Sequence, residues 1–115
     1  MPHDVPYTRT ERYETIIIGG GRAALAAACE LQKRDVDCLV LRTEGAVRSL
    51  RRAGAHLEIL TDELRYETSS VVVAVGRAPS PLDLRSVEGD PGLHILGDVA
   101  RDAVRIAERI AAAES

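Results

Sequence analysis

The chain has 115 residues, of which 45% are hydrophobic and 29% are charged, and this composition is typical of a single globular domain. A chain of this length is too short for two full domains, and it buries roughly two-thirds of its unfolded surface in one core. The formal net charge is -3, and the three aromatic residues are all tyrosines. The chain therefore lacks the cationic field and the aromatic stacking surfaces of a protein that binds nucleic acid. We expect neither nucleic acid nor a membrane as its partner.

The two cysteines, Cys29 and Cys38, are too few for a disulfide framework, and their spacing matches neither a redox C-x-x-C pair nor a metal site. Both fall in apolar patterns, so they are predicted to be buried small hydrophobic residues. We expect no metal. The N-terminus lacks a basic start followed by an apolar stretch of signal-peptide length, which predicts a cytoplasmic protein.

Predicted strands and helices alternate along the first third of the chain. Residues 1–12 are polar and without periodicity, so they are predicted to form an N-terminal arm before a single domain at 13–113. Residues 15–18 form a β-branched run that ends in three glycines, which is typical of a strand buried on both faces. A helix rich in Ala and Leu is predicted at 22–34, and a second strand at 36–41.

The rest of the chain continues the alternation. A helix is predicted at 46–53, because Val47 and Leu50 have helical spacing and Gly54 suits a helix C-terminus. The further predicted segments are a strand at 56–60, a polar connection or edge hairpin at 61–70, a central strand at 71–75, a long loop at 76–92, a short strand at 94–96 and a helix at 100–113. This order predicts an α/β fold, a minimal Rossmann-like open parallel sheet of about five strands with flanking helices.

A glycine-rich turn joins the first predicted strand to the first predicted helix, with the pattern G-x-G-x-x-A. Gly19 permits the tight turn, Gly21 lets the backbone approach a pyrophosphate, and Ala24 keeps the helix close to the strand. The helix N-terminus offers N–H groups and a positive dipole end to phosphates. The alternative is a turn that binds no ligand, but the strand-turn-helix context favours a dinucleotide. The candidate binding residues here are Gly19, Gly20, Gly21, Arg22 and Ala23.

Arg42 stands at the end of the second predicted strand, where a domain that binds an unphosphorylated ribose carries an acidic residue. A guanidinium cannot accept hydrogen bonds from ribose hydroxyls, but it can pair with a 2′-phosphate, which favours NADP(H). Arg48, Arg51 or Arg52 would be second cations for that phosphate. The alternative is that Arg42 is a solvated strand end and that Glu44 reaches the ribose.

Three stretches, in this order, resemble the flavoproteins with two dinucleotide-binding domains of the pyridine nucleotide-disulfide oxidoreductase superfamily. They read Ile-Ile-Ile-Gly-Gly-Gly at 16–21, Val-Val-Val-Ala-Val-Gly-Arg-Ala-Pro at 71–79 and Leu-His-Ile-Leu-Gly-Asp-Val-Ala at 93–100. The resemblance covers about residues 14–112. Within the superfamily, the chain is most similar to the C-terminal half of enzymes of the dienoyl-CoA reductase and trimethylamine dehydrogenase type.

The resemblance implies cofactor roles for residues in the second half of the chain. Asp98 matches an aspartate that hydrogen-bonds the ribityl or phosphate part of FAD, and it also suits the N-cap of the last helix. Gly76 matches a glycine that lets the chain pass close to the dinucleotide, and Arg77 and Gly97 accompany these two. The family has two glycine turns, whereas this chain has one. Because the one glycine turn and the Gly97-Asp98 pair must share a single sheet, the topology favours FAD. Arg42 and the sequence around Gly76 favour NADP(H).

The chain carries no redox cysteine pair, no iron-sulfur cysteine cluster and no His-Glu arrangement, so no catalytic residue is assigned. The resemblance implies a module or small subunit of a flavin-dependent oxidoreductase that orients FAD or NAD(P) for hydride or electron transfer, while another chain supplies the substrate site. The alternative is a non-catalytic subunit that binds ADP or NADP, or a degenerate domain, that serves assembly with a larger partner. Because a dinucleotide would span much of so small a sheet, a homodimer or a larger oxidoreductase subunit is expected to cover it.

Overall fold

The computed structural model describes residues 9–42, 47–62, 64–74, 85–96 and 99–114. The elements in chain order are β1 (Arg9–Ile18), α1 (Arg22–Lys33), β2 (Cys38–Leu41), β3 (Val47–Ala53), β4 (His56–Thr61), β5 (Leu64–Val73), a short 3₁₀ helix (Arg85–Val87), β6 (Leu93–Ile95) and α2 (Val99–Glu114). None of the helices in these ranges is long and apolar enough to cross a membrane.

The strands form one sheet in the order β2-β1-β5-β4-β3, and β6 pairs with β5. The pairs β1–β2, β1–β5 and β5–β6 are parallel, while β3–β4 and β4–β5 are antiparallel. The predicted α/β, Rossmann-like class is confirmed. The sheet differs from the prediction in being mixed instead of parallel throughout, and in having six described strands instead of about five.

The long strand β5 joins the two parts of the sheet. One of its edges pairs with β1 along almost its full length. Its other edge is divided, because residues 65–68 pair with β4 and residues 71–73 pair with β6. The parallel core of β2, β1, β5 and β6 is therefore continuous with an antiparallel ribbon.

Apolar side chains that alternate along the central strands pack on both faces of the sheet, as expected for strands buried on both sides. Ile17 and Val72 face α1 and α2, where Leu31, Ile106 and Ile110 complete the core. On the opposite face the buried side chains are Ile16, Ile18, Val47, Leu50, Leu57, Ile59, Tyr66, Val71, Val73 and Val87. Among the described residues, this second cluster is formed by side chains of β1, β5 and the antiparallel ribbon, together with Val87 of the 3₁₀ helix.

Residues 9–12, assigned to a polar arm by their sequence, form the first half of β1 and pair with residues 64–67 of β5. Arg12 donates from Nε to a carboxylate oxygen of Glu67 on that strand, at 2.6 Å. The polar sequence is compatible with a strand because its charged side chains are paired, Arg12 with Glu67 across the sheet and Arg9 with Glu11 along β1.

The predicted helix at 46–53 is wrong: residues Val47–Ala53 form β3, and residue 46 lies outside the described part of the chain. The antiparallel register with β4 shifts between Val47 and Ser49. Such a bulge adds one residue to the strand, so that Val47 and Leu50, three positions apart, both face the core.

Of the two alternatives predicted at 61–70, the polar connection is wrong from Leu64 onward, where β5 begins. The hairpin is closer to the structure, because β5 pairs antiparallel with β4 through Tyr66. Tyr66, Thr68 and Ser70 alternate toward the buried face. Arg65 and Glu67, on the other face, lie beside charged partners on β4 and β1. The first part of β5 is therefore a half-buried strand in spite of its polar composition.

The predicted burial of both cysteines is only partly correct. Cys29 is exposed on α1, and Cys38 is half-buried at the start of β2. Burial raises the pKa of the Cys38 thiol, and the nearby Asp37 and Cys29 act in the same direction. The other predicted elements lie close to their observed places: α1, β2, β4 and α2 differ only at their ends, and β6 begins and ends one residue earlier.

Candidate functional site

The carboxyl ends of the parallel strands meet at one edge of the sheet. Gly19 donates its N–H to the carbonyl of Leu41 at 2.9 Å, and Ala74 donates to the carbonyl of Ile18 at 2.8 Å. The N–H of Leu96 reaches the Val73 carbonyl at 3.0 Å. In open α/β sheets this edge is where ligands bind, and the glycine turn, the end of β2 and the ends of β5 and β6 all lie there.

The glycine turn has a backbone that only glycine adopts readily. Gly19 has φ of 139° and Gly21 has φ of 86° with ψ of -161°. A Cβ atom on Gly21 would have no other atom within 4 Å, whereas one on Gly20 would lie 3.4 Å from the carbonyl oxygen of Arg42. The turn therefore leaves open space above Gly21, beside the end of β2.

The N-terminus of α1 is open to an anion. Gly21 occupies the N-cap, no side chain caps the helix, and its first turn contains no acidic residue. The first intrahelical bond runs from Leu25 N–H to Gly21 O at 3.1 Å. The preceding N–H groups and the positive dipole end have no competing carboxylate, so this helix end is suited to a pyrophosphate.

Two guanidinium groups flank the turn. Arg22 and Arg42 are both exposed, and neither makes an ion pair or a side-chain hydrogen bond with another described residue. Ala23 is partly buried and packs against the core between the helices and the sheet. The site thus offers backbone donors and two unpaired cations, all suited to phosphate oxygens.

The three arginines predicted as second cations pair with acidic residues elsewhere. All lie on β3: Arg51 donates to Glu58 at 2.7 Å, and Arg52 makes two bonds to Asp90 at 2.9 and 2.6 Å. Arg48 pairs with Asp62. The observed strand places Arg51 beside Glu58 of β4, Arg48 beside Asp62 directly after β4, and Arg52 beside Asp90, which precedes β6.

Five residues named from the sequence lie outside the described part of the chain, namely Glu44, Gly76, Arg77, Gly97 and Asp98. In the sequence, Gly76 and Arg77 follow shortly after Ala74 at the end of β5. Gly97 and Asp98 follow Leu96 directly after β6.

A groove beside β6, lined by His94, Arg105 and Arg109, was not predicted from the sequence. Burial and the nearby Arg109 lower the pKa of His94. The four-residue spacing of the two arginines on the last predicted helix was the available signal.

Comparison with known protein families gives one match, to the family described as FAD binding domain, over residues 14–83. The matched segment contains the second half of β1, the glycine turn, α1 and β2 through β5, and it covers more than half of the chain. FAD, favoured over NADP(H) by the topology, is thereby confirmed as the cofactor of this family. No curated protein matches the chain.

Solved structures of flavoproteins share the fold at low sequence identity. Thioredoxin reductase from Streptococcus pyogenes matches 59% of this chain and 37% of its own, with a TM-score of 0.50 and 17% identity. Bacillithiol disulfide reductase from Staphylococcus aureus matches 57% and 39%, with a TM-score of 0.51 and 17% identity. A flavin monooxygenase from Stenotrophomonas maltophilia matches 62% and 41%, with a TM-score of 0.53 and 12% identity.

The chain thus spans about two-fifths of the length of these proteins. Their likeness concerns the Rossmann-like fold, and the family match adds the cofactor. This chain belongs to the FAD binding domain family.

Proposed function

We propose that the chain is the dinucleotide-binding module of a flavin-dependent oxidoreductase, which holds and orients FAD for hydride or electron transfer. The observation that carries the proposal is the uncapped N-terminus of α1 behind Gly21, within the segment that matches the FAD binding domain family. FAD supplies the redox chemistry when bound, and the chain supplies binding and orientation.

The proposed roles at the turn follow from its donors. Gly19, Gly20 and Gly21 keep side chains away from the pyrophosphate, while the N–H groups of Arg22 and Ala23 face it from the helix end. The guanidinium of Arg22 adds a charge-assisted contact. These roles need no side chain from outside the described residues.

Arg42 is proposed to contact the adenosine end of the dinucleotide. Its unpaired guanidinium at the end of β2 suits a ribose phosphate better than a free ribose hydroxyl. The same module would therefore accept NADP(H) more readily than NAD(H). In this proposal FAD remains the resident cofactor, and Arg42 sets the response to a 2′-phosphate.

The proposal for the rest of the cofactor rests on the family resemblance. Gly76 and Arg77 after β5, and Gly97 and Asp98 after β6, would contact the central and ribityl parts of FAD. The last pair also precedes α2, whose N-terminus Asp98 would cap.

We further propose the type of enzyme to which the module belongs and the partner with which it assembles. The motifs favour the dienoyl-CoA reductase and trimethylamine dehydrogenase type, with residues 13–113 as one domain. Because the chain spans about two-fifths of the flavoproteins that share its fold, the substrate site would come from elsewhere, and a second copy or a larger oxidoreductase subunit would cover the cofactor. A cytoplasmic location remains a prediction.

The experiment that tests the proposal identifies the nucleotide released from the purified protein and adds dithionite to the intact complex. The proposal predicts bound FAD that dithionite reduces reversibly. The alternative, a non-catalytic subunit that serves assembly, predicts ADP or NADP without a reducible flavin. Purified protein that holds no nucleotide and fails to bind added FAD would contradict both the FAD module and the nucleotide-binding subunit. A degenerate domain that serves assembly would then be the remaining explanation.

A further inference from the structure

Two adjacent cavities lie along β6, on the side away from β1. They measure about 560 and 210 Å³, and both are lined by Leu93, His94 and Arg109, from β6 and α2. We call the two cavities together the β6 groove; Arg52 and Asp90 line the larger cavity and Asp102 lines the smaller one.

The outer edge of β6 carries backbone groups that no described strand uses. The carbonyl of Gly92 accepts from Val71 N–H at 2.8 Å, and the N–H of Leu96 donates to the Val73 carbonyl at 3.0 Å. Because the two sides of a strand alternate, the N–H and C=O groups of Leu93 and Ile95 are directed away from β5. The Leu93 N–H already donates to the Asp90 carbonyl at 3.0 Å, so among the described residues the groups that remain for another strand are the Leu93 carbonyl and both backbone groups of Ile95. This edge can accept another strand.

An apolar side chain stands beside the free edge. Ile95 is 62% exposed, which is the largest exposure among the large hydrophobic residues described. Its alternation with His94 places Ile95 on the same face of the sheet as Leu93, opposite the helices. In a strand added to this edge, every second side chain would lie on the same face as Ile95, and one of them would cover it.

The wall of the groove is positively charged. Arg105 and Arg109 lie one turn apart on α2, are exposed, and make no ion pair within the described part of the chain. The charge of Arg52 is compensated by its two bonds to Asp90. Asp102 also lines this groove, so two arginines lie with one carboxylate beside the outer edge of β6, next to the helix-facing side of any added strand.

We propose that the β6 groove binds an extended acidic segment of a partner protein, which adds to β6 as a further strand. Side chains on one face of a strand repeat every 6.6 to 6.8 Å, roughly, and one turn of a helix rises about 5.4 Å. Acidic residues at alternate positions therefore match Arg105 and Arg109, and an apolar residue between them covers Ile95. Backbone hydrogen bonds give affinity, and the two arginines give specificity.

The test measures binding of the fluorescein-labelled peptide Ser-Glu-Val-Glu-Val-Glu-Ser to the full chain by fluorescence polarisation. Two control peptides keep the length: one has Lys in place of each Glu, and one has Pro in place of each Val. We expect saturable binding of the Glu-Val peptide alone, because the Lys peptide reverses the charge and the Pro peptide lacks the N–H groups for strand pairing.

Variants separate the charges of the groove from the general charge of α2. Arg105→Ala and Arg109→Ala are each expected to weaken binding about fivefold, as for an exposed ion pair. Val104→Glu is the matched control, because it also changes the charge of α2 by one unit from an exposed position that does not line the groove. It should leave affinity within about twofold. The double variant Arg105→Glu with Arg109→Glu should bind the Lys peptide instead.

Hydrogen exchange supplies a second readout that does not depend on charge. The amide of Ile95 should become protected when the Glu-Val peptide is bound. Equal binding of the Pro peptide, or an equal loss in Val104→Glu, would overturn strand addition and leave a diffuse electrostatic attraction. Self-association of the chain that Ile95→Lys abolishes, without peptide binding, would also overturn the proposal, because the edge would then be occupied by a second copy.

Discussion

Gly20 lies against the backbone of Arg42, so that a Cβ atom on Gly20 would be 3.4 Å from the Arg42 carbonyl oxygen. This contact joins the glycine turn after β1 to the end of β2. The glycine turn, the N-terminus of α1 and the end of β2 are therefore neighbours, and the Arg42 guanidinium makes no ion pair with any described residue.

Arg42→Glu should change the preference of the site among dinucleotides. A carboxylate repels a 2′-phosphate but accepts hydrogen bonds from ribose hydroxyls. The loss of a charge-assisted pair, about 1.5 to 3 kcal/mol, should weaken NADPH binding by at least about tenfold relative to NADH. FAD affinity should be kept or improved. Titrations with the three dinucleotides check this, and an unchanged NADPH to NADH ratio would show that Arg42 is only a solvated strand end.

Gly21→Ala should separate folding from cofactor binding. The added methyl group meets no other atom within 4 Å, but Gly21 has φ of 86°, so the variant should lose about 1 to 3 kcal/mol of unfolding free energy. It should also lose FAD, because the methyl group occupies the space through which the pyrophosphate approaches. Gly21→Val should abolish binding altogether.

Gly54→Ala is the matched control for this variant. Gly54 lies in the turn between β3 and β4 with φ of 69° and open space around a Cβ. It should be destabilised by about 1 kcal/mol and bind FAD normally. Equal loss of FAD in both variants, or full binding by Gly21→Ala, would remove the turn from the site.

Gly92→Ala should destabilise the sheet without contact to the cofactor. A Cβ there would lie 2.7 Å from the carbonyl oxygen of Ser69 and 3.0 Å from Leu57 Cδ1. Because the closest atom is backbone, relief requires β6 to move, and we expect a loss of about 1 to 3 kcal/mol. Urea unfolding measures this. Gly20→Ala, where the contact is 3.4 Å and φ is unstrained, should stay within about 0.5 kcal/mol of the wild type.

Stability should fall in acid partly through Asp90. The two hydrogen bonds from Arg52, assisted by the N–H of Gly92, lower the pKa of Asp90 below its usual range. The ionised Asp90 carboxylate therefore stabilises the folded state, and this contribution is complete above the unfolded pKa of about 4. It is lost as the pH falls through the pKa of the folded state. Asp90→Asn should therefore cost about 1 kcal/mol at pH 7 and flatten the dependence of unfolding free energy on pH below about 4. A variant that is as stable as the wild type at pH 7 would contradict this.

The central part of the fold could be predicted from the sequence, because uninterrupted apolar runs such as residues 16–18 and 71–73 indicate strands buried on both faces. The strand β3 could not, because its bulge places Val47 and Leu50 on one face with the spacing of a helix. The first half of β5 was missed for a different reason. Its charged residues are paired with neighbouring strands, and pairing across a sheet leaves no local signal.

The glycine turn was predictable because G-x-G-x-x-A reflects backbone requirements that only small residues meet. The partners of charged side chains were not predictable. Arg48, Arg51 and Arg52 resembled candidate phosphate ligands until β3 placed them beside Asp62, Glu58 and Asp90. That Arg22 and Arg42 make no ion pair with the residues that the structure describes likewise follows only from the structure.

FAD binding at the glycine turn is decided by the visible absorption spectrum of the purified protein, taken together with the amount of FAD released on denaturation. We expect a flavin spectrum and close to one FAD per chain, lost in Gly21→Ala and kept in Gly54→Ala. A colourless protein that stays colourless after incubation with FAD would show that the turn holds no flavin.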